Sequence, residues 1–80
     1  MLNLPDMAQF RDEALLKKIA KKLKQLREEH NVTQETFYND TNIHIGRIES
    51  LKANISVSTL NVICKYFGIT LGEFFGGIEK

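Results

Sequence analysis

The chain is poor in residues that staple or interrupt a fold. Cys64 is its only cysteine, so no intrachain disulfide can form, which suits a reducing compartment. Two histidines, His30 and His44, and that one thiol cannot build a four-ligand zinc site unaided. No metal and no cofactor is therefore expected. One proline and five glycines exclude a collagenous or low-complexity chain and leave most of the sequence free to be helical. No apolar run approaches the roughly 20 residues that span a bilayer. The first ten residues, MLNLPDMAQF, have no basic n-region and no long apolar h-region. The sequence thus predicts no membrane segment, no secretory signal and a cytoplasmic location. Excess charge is also scarce: eleven basic against ten acidic residues leave +1, a weak argument for a polyanionic partner.

What is present is a small folded domain. Eighty residues allow one domain, and 42% apolar with 26% charged residues separate the chain from disordered ones. The charge is unevenly spread: residues 17–27, KKIAKKLKQLR, hold six positive groups and no negative one. From about Asp12 to Glu29, Leu16, Ile19, Ala20, Leu23 and Leu26 recur at steps of three and four, the spacing of one helix face. This helix is expected to end near His30–Asn31, since asparagine tolerates the left-handed cap conformation.

Thr33 suits the N-cap of a second, short helix, TQETFYN, with Phe37 turned inward. Asp40-Thr41-Asn42 is a run of turn formers. A third segment, IHIGRIESL, puts Ile45 and Ile48 on one face. Ser56 or Ser58 can cap a fourth helix carrying Leu60, Ile63, Cys64 and Phe67, which Gly68 stops. Thr70 and Glu73 have capping-box spacing, so a fifth helix carries Leu71, Phe74 and Phe75 and ends at Gly76-Gly77. No stretch alternates with period two. The expected fold is all-α, five helices joined by short turns, with an N-terminal extension over 1–11, the domain over 12–76 and a tail over 77–80. Cys64 is expected to be inert core.

This order of elements resembles the helix-turn-helix domains of the phage repressor and Cro type, the xenobiotic response element-like regulators. The resemblance runs from about residue 15 to 75. It is carried by Leu26-Arg27, Thr33-Gln34-Glu35-Thr36-Phe37, Asn42-Ile43-His44, Ile45-Gly46-Arg47-Ile48-Glu49, Lys52-Ala53-Asn54, Thr59-Leu60 and Tyr66-Phe67-Gly68-Ile69. It implies a compact domain whose second and third helices form the helix-turn-helix. It also implies duplex DNA as partner, and a homodimer of the kind this family often builds from its last helix; Phe74 and Phe75 read most simply as core and rim of that helix, and either one, if exposed, marks the dimer surface. Arg27 and Glu49 match a family pair that ties the first helix to the third by a salt bridge.

The departures bear on function. From Gln34 to Glu49 the chain is about three residues shorter than the common family spacing, almost one helical turn, and the loss falls at the start of the third helix. In the family that turn enters the major groove, so its base-reading residues do not transfer directly. Leu51 stands where the family has glycine. A left-handed leucine is strained, which predicts a longer third helix or another loop path. The DNA-contacting candidates are Thr33 and Gln34 at the second helix N-terminus, Asn42 and His44 at the shortened helix start, Arg47 on its polar side, and Lys52 and Asn54 in the following loop. The lysines of 17–24 read as a solvated face, with a flank that assists non-specific DNA attraction as the alternative.

Two functions from different classes follow. The first is a sequence-specific double-stranded DNA-binding regulator, acting as a repressor. The second is a protein-interaction module on the same scaffold, favoured by the missing turn and the small net charge. An enzyme is disfavoured: the sequence offers no nucleophile beside a base, no carboxylate pair in a plausible cleft and no phosphate-cradling glycine loop.

Overall fold

A computed structural model describes residues 11–78. The expected extension over 1–11 lies outside them except for Arg11, as do residues 79 and 80 of the expected tail. The described residues form five helices and no strand: α1 (Glu13–Glu29), α2 (Gln34–Thr41), α3 (Ile45–Glu49), α4 (Val57–Tyr66) and α5 (Leu71–Ile78). None is long and apolar enough to cross a membrane.

Four of the five helices, all but α3, start where the sequence supplies a side-chain acceptor. Asp12, Thr33 and Ser56 each accept a hydrogen bond from the backbone N–H three residues on, at 3.0 Å. At α5 the box closes in both directions, with Glu73 N–H donating to Thr70 and Thr70 N–H to the Glu73 carboxylate. Helices as short as these are marginal alone, so packing holds them. Leu16, Ile19, Ala20, Leu23 and Leu26 form the buried face of α1. They meet Phe37, Ile45, Ile48, Leu60, Ile63, Cys64, Phe67 and Phe74 in one core. Phe37 lies nearly parallel to Phe67 at 5.7 Å and takes the edge of Tyr66 at 4.8 Å. Desolvation pushes the Cys64 thiol above its ordinary pKa, which keeps it protonated and unreactive.

Three helices end in the same turn. After α1, α3 and α4 the residues Asn31, Leu51 and Gly68 take φ of 56°, 64° and 74°. In each case the following N–H reaches back to the carbonyl five residues earlier: Val32 to Arg27, Lys52 to Arg47, and Ile69 to Cys64. Glycine adopts this conformation freely and asparagine tolerates it. Leucine does not. The expected longer helix or different loop path is therefore corrected: α3 stops at Glu49 and the strained turn is kept. Its backbone groups are well satisfied, since Leu51 N–H donates to Ile48 and the Leu51 carbonyl accepts from the Arg11 guanidinium at 3.0 Å.

Two other boundaries shift. α2 continues through Asp40 and Thr41, because the Thr41 hydroxyl donates to the Phe37 carbonyl and accepts from Ile43 N–H, closing the helix end; the left-handed residue is Asn42. α5 runs through Gly76-Gly77 to Ile78, which packs on the core, while the Lys22 ammonium lies beside Gly77 at the negative end of the helix. Phe74 is fully buried, a core residue, because the fifth helix closes the bundle over α1 and α4, and this leaves only Phe75 of the two for a dimer surface. Phe75 is half-buried beside it.

The Arg27–Glu49 pair forms as the resemblance implied. Arg27 Nε and Nη2 donate to the two Glu49 oxygens at 2.7 and 2.8 Å, and Nη1 donates to the Val32 carbonyl at 3.0 Å. Both side chains are nearly buried, at 10% and 6% exposure, and the Glu49 hydrogen bonds raise the Arg27 pKa further against desolvation. Removing one partner of such a pair strands the other charge. Glu49→Ala is expected to lose about 3 kcal/mol of stability in urea denaturation, with Glu49→Gln losing less because it keeps an acceptor. At Leu51, glycine is expected to give a more stable protein than alanine by about 1 kcal/mol in thermal melts, the reverse of the order inside a helix.

Candidate nucleic-acid interface

The pair just described organises the exposed side of α2 and α3. Glu49 Oε1 also accepts from Gln34 Nε2 at 3.1 Å, so the first residue of α2 is laid across α3. Gly46 makes this passage open. A Cβ there would stand 2.7 Å from Gln34 Oε1 and 3.1 Å from its Cδ. The triad Arg27–Glu49–Gln34 thus neutralises the one carboxylate of α3 and fixes an amide at the surface.

One turn along α2, Tyr38 stacks on His44 with ring centroids 4.3 Å apart and planes 26° from parallel. His44 occupies the N-cap position of α3, yet its side chain makes no capping hydrogen bond. The imidazole is held by the tyrosine ring rather than spent on the helix end. Arg47 and Lys52 are exposed further on. The Arg47 carbonyl takes the Lys52 and Ala53 N–H groups at 2.8 and 3.2 Å, so the turn after α3 is anchored under Arg47.

These groups line one open cleft of about 470 Å³, bounded by Gln34, Glu35, Tyr38, His44, Ile45, Gly46, Arg47, Ser50 and Lys52. Of the residues singled out in the sequence, Gln34, His44, Arg47 and Lys52 converge here. Thr33 sits just before it, its hydroxyl engaged in capping. Asn42 forms the left-handed turn between the helices and is exposed outside the cleft. Asn54 lies elsewhere: its Oδ1 accepts from Ile55 N–H, and it borders an apolar groove with Arg11, Leu15 and Phe75. Tyr38, Glu35 and Ser50 were missed. Tyr38 stands four residues from Gln34, so helical spacing alone puts the two on one face.

Chemically the cleft offers donors in several geometries. Arg47 carries a planar fork, Lys52 a point charge, and Gln34 and His44 groups that both donate and accept. Such sets match phosphate oxygens and base edges, whereas nothing in the cleft forms a nucleophile–base pair. Gly46→Ala tests the seat of Gln34. It is expected to leave melting equal or slightly higher, since alanine favours helix by about 1 kcal/mol, while displacing the amide and weakening any ligand that the cleft holds.

No curated protein and no solved structure matches the chain. The Cro/C1-type HTH DNA-binding domain family matches it over residues 22–80. That span takes in the ion pair, both cleft-forming helices and the last helix, and the chain belongs to the Cro/C1-type HTH DNA-binding domain family.

Proposed function

We propose that this DNA-binding regulator recognises a specific duplex sequence and acts as a repressor. The observation that carries this reading is the convergence of Gln34, His44, Arg47 and Lys52 on one open face of α2 and α3. In this reading the cleft face docks on a major groove, with Arg47 and His44 directed to base edges. Thr33 and Gln34 at the start of α2, and Lys52 after α3, hold the backbone phosphates. Asn54 follows on the same loop as a further phosphate contact, whereas Asn42 serves the turn.

The shortened α3 changes how bases are met. A helix of five residues offers little more than one turn to a groove. The Tyr38–His44 stack stands at its N-terminal end, where the family pattern has the missing residues, and Tyr38 backs His44 as a rigid support. Two copies, meeting through the α5 side where Phe75 and Ile78 are half-buried, would read an inverted repeat with half-sites about 34 Å apart. Repression then follows from occupying a promoter in the cytoplasm, by binding and without catalysis.

Selection of duplexes from a random library at about 0.1–0.15 M salt tests this, because counterion effects are then not mistaken for specificity. An inverted-repeat motif is expected. Arg47→Ala and His44→Ala are each expected to weaken the selected site by about 1–3 kcal/mol with relaxed preference at one base pair per half-site, and with melting unchanged. Recovery of no motif overturns the reading and favours a protein-interaction module.

A further inference from the structure

Positive charge on this chain is concentrated away from the cleft. Of the eleven basic residues, six fall within 17–27, and the five others face ten acidic residues, so the remainder of the chain is net −5. Arg27 is consumed by Glu49. That leaves Lys17, Lys18, Lys21, Lys22 and Lys24, and among the described residues none of them lies in an ion pair. The cleft itself is far less charged: Arg47 and Lys52 share it with Glu35. The small overall charge therefore conceals a strongly polar molecule.

Lys17, Lys21 and Lys24 stand at i, i+4 and i+7, one stripe of α1. They line a shallow groove together with Ala20, Glu49 and Leu51. Glu49 is already neutralised by Arg27 and takes a further hydrogen bond from Gln34. Leu51 is the link to the cleft, because it immediately precedes Lys52 and its carbonyl holds the Arg11 guanidinium. The α3–α4 turn therefore lies between the stripe and the cleft, with Leu51 lining the groove and Lys52 the cleft, while Arg11 on the Leu51 carbonyl is paired with Glu13 at 3.5 Å. The strained leucine lines that groove with the three lysines, which are all exposed.

We propose that Lys17, Lys21 and Lys24 form a second phosphate-binding surface, which takes the sugar-phosphate backbone of the duplex beyond the segment seated in the cleft. It rests on the DNA-binding reading for the identity of the polyanion, but not on sequence specificity. Its role is affinity and capture. A lysine stripe has no geometry for base discrimination, whereas each neutralised phosphate releases counterion and steepens the salt dependence. The stripe supplies the electrostatic component that Arg47 and Lys52, opposed by Glu35, cannot supply alone.

The test compares the wild type with the Lys17→Gln/Lys21→Gln/Lys24→Gln triple variant, each titrated onto a labelled selected duplex and a scrambled duplex from about 0.05 to 0.3 M salt. Glutamine keeps helix propensity, and a matching triple arginine variant keeps the charge. The expected result is a slope of log affinity against log salt lower by about 2–3 for the glutamine variant, at about 0.9 per lost phosphate contact. Affinity should fall by roughly tenfold or more at 0.1 M on both duplexes alike, with the selected motif unchanged and the arginine variant like wild type. Lys65→Gln, on α4, is the control and should alter nothing. An unchanged slope in the glutamine variant overturns the proposal even if a motif is recovered, and then the DNA-reading cleft stands alone. Loss of scrambled-duplex binding without any recovered motif supports the lysine surface and sinks sequence specificity. Failure of the wild type to bind either duplex at low salt overturns both, and would leave the stripe to an acidic protein partner.

Discussion

The hydrogen-bonded ion pair between Arg27 and Glu49 is the constraint on which the working face depends. Helices α1 and α3 are separated in sequence by a whole helix and two turns, and α3 has only five residues. Its two buried isoleucines alone would leave it free to roll on the core. A bidentate guanidinium–carboxylate contact does not permit that, because both N–H directions must meet both oxygens at once. The third donor, to the Val32 carbonyl, ties the same arginine to the turn that leads into α2. One side chain thereby sets the relative placement of three helices. Gln34 then takes the remaining capacity of Glu49, so the surface amide inherits its position from a nearly buried charge pair. In a domain this small, with stability of only a few kcal/mol, one such contact is a large share of the total.

Much of the architecture was legible because local chemistry and global pattern agree. The cap acceptors Asp12, Thr33 and Ser56, the Thr70–Glu73 box and the spacing from Leu16 to Leu26 all point the same way. The errors lie where backbone satisfaction outweighs propensity. Asp40 and Thr41 look like turn residues, but Thr41 can donate to a carbonyl four residues back, and this extends the helix. Gly76-Gly77 looks like a stop, but Ile78 beyond it has a place on the core. Leu51 is the most instructive. Conformational preference argues against a left-handed leucine, yet three hydrogen bonds of a helix-ending turn and one from Arg11 hold it there. Sequence reasoning sees the preference and not the surroundings that override it.

The candidate site was less legible than the fold, for a related reason. Its residue types were visible, but which of them share a surface depends on turns whose geometry no pattern specifies. Asn54 is near Lys52 in sequence and near Phe75 in space. Tyr38 was invisible as a functional residue because an aromatic at that position reads as ordinary packing, and its partner His44 lies across a left-handed turn. Gly46, with no Cβ, permits a close approach to α3. What approaches is the chain's own Gln34.

Net charge misleads here because it sums over a surface that is not uniform. Attraction to a polyanion depends on the field at the approaching face, and charges more than about 8 Å away are largely screened at physiological salt. Within the lysine groove the one carboxylate, Glu49, is already paired with Arg27, so the stripe keeps its positive field locally whatever the chain sums to. The molecule divides its tasks accordingly. Donors with defined geometry sit in the cleft between α2 and α3, where the Arg27–Glu49–Gln34 triad fixes Gln34 and the Tyr38 ring holds His44. Exposed lysine charge sits on α1, where in the proposed role only proximity to phosphate matters. A third helix trimmed by almost a turn has less surface with which to hold a duplex, and charge on the neighbouring helix compensates without any need for tight fit.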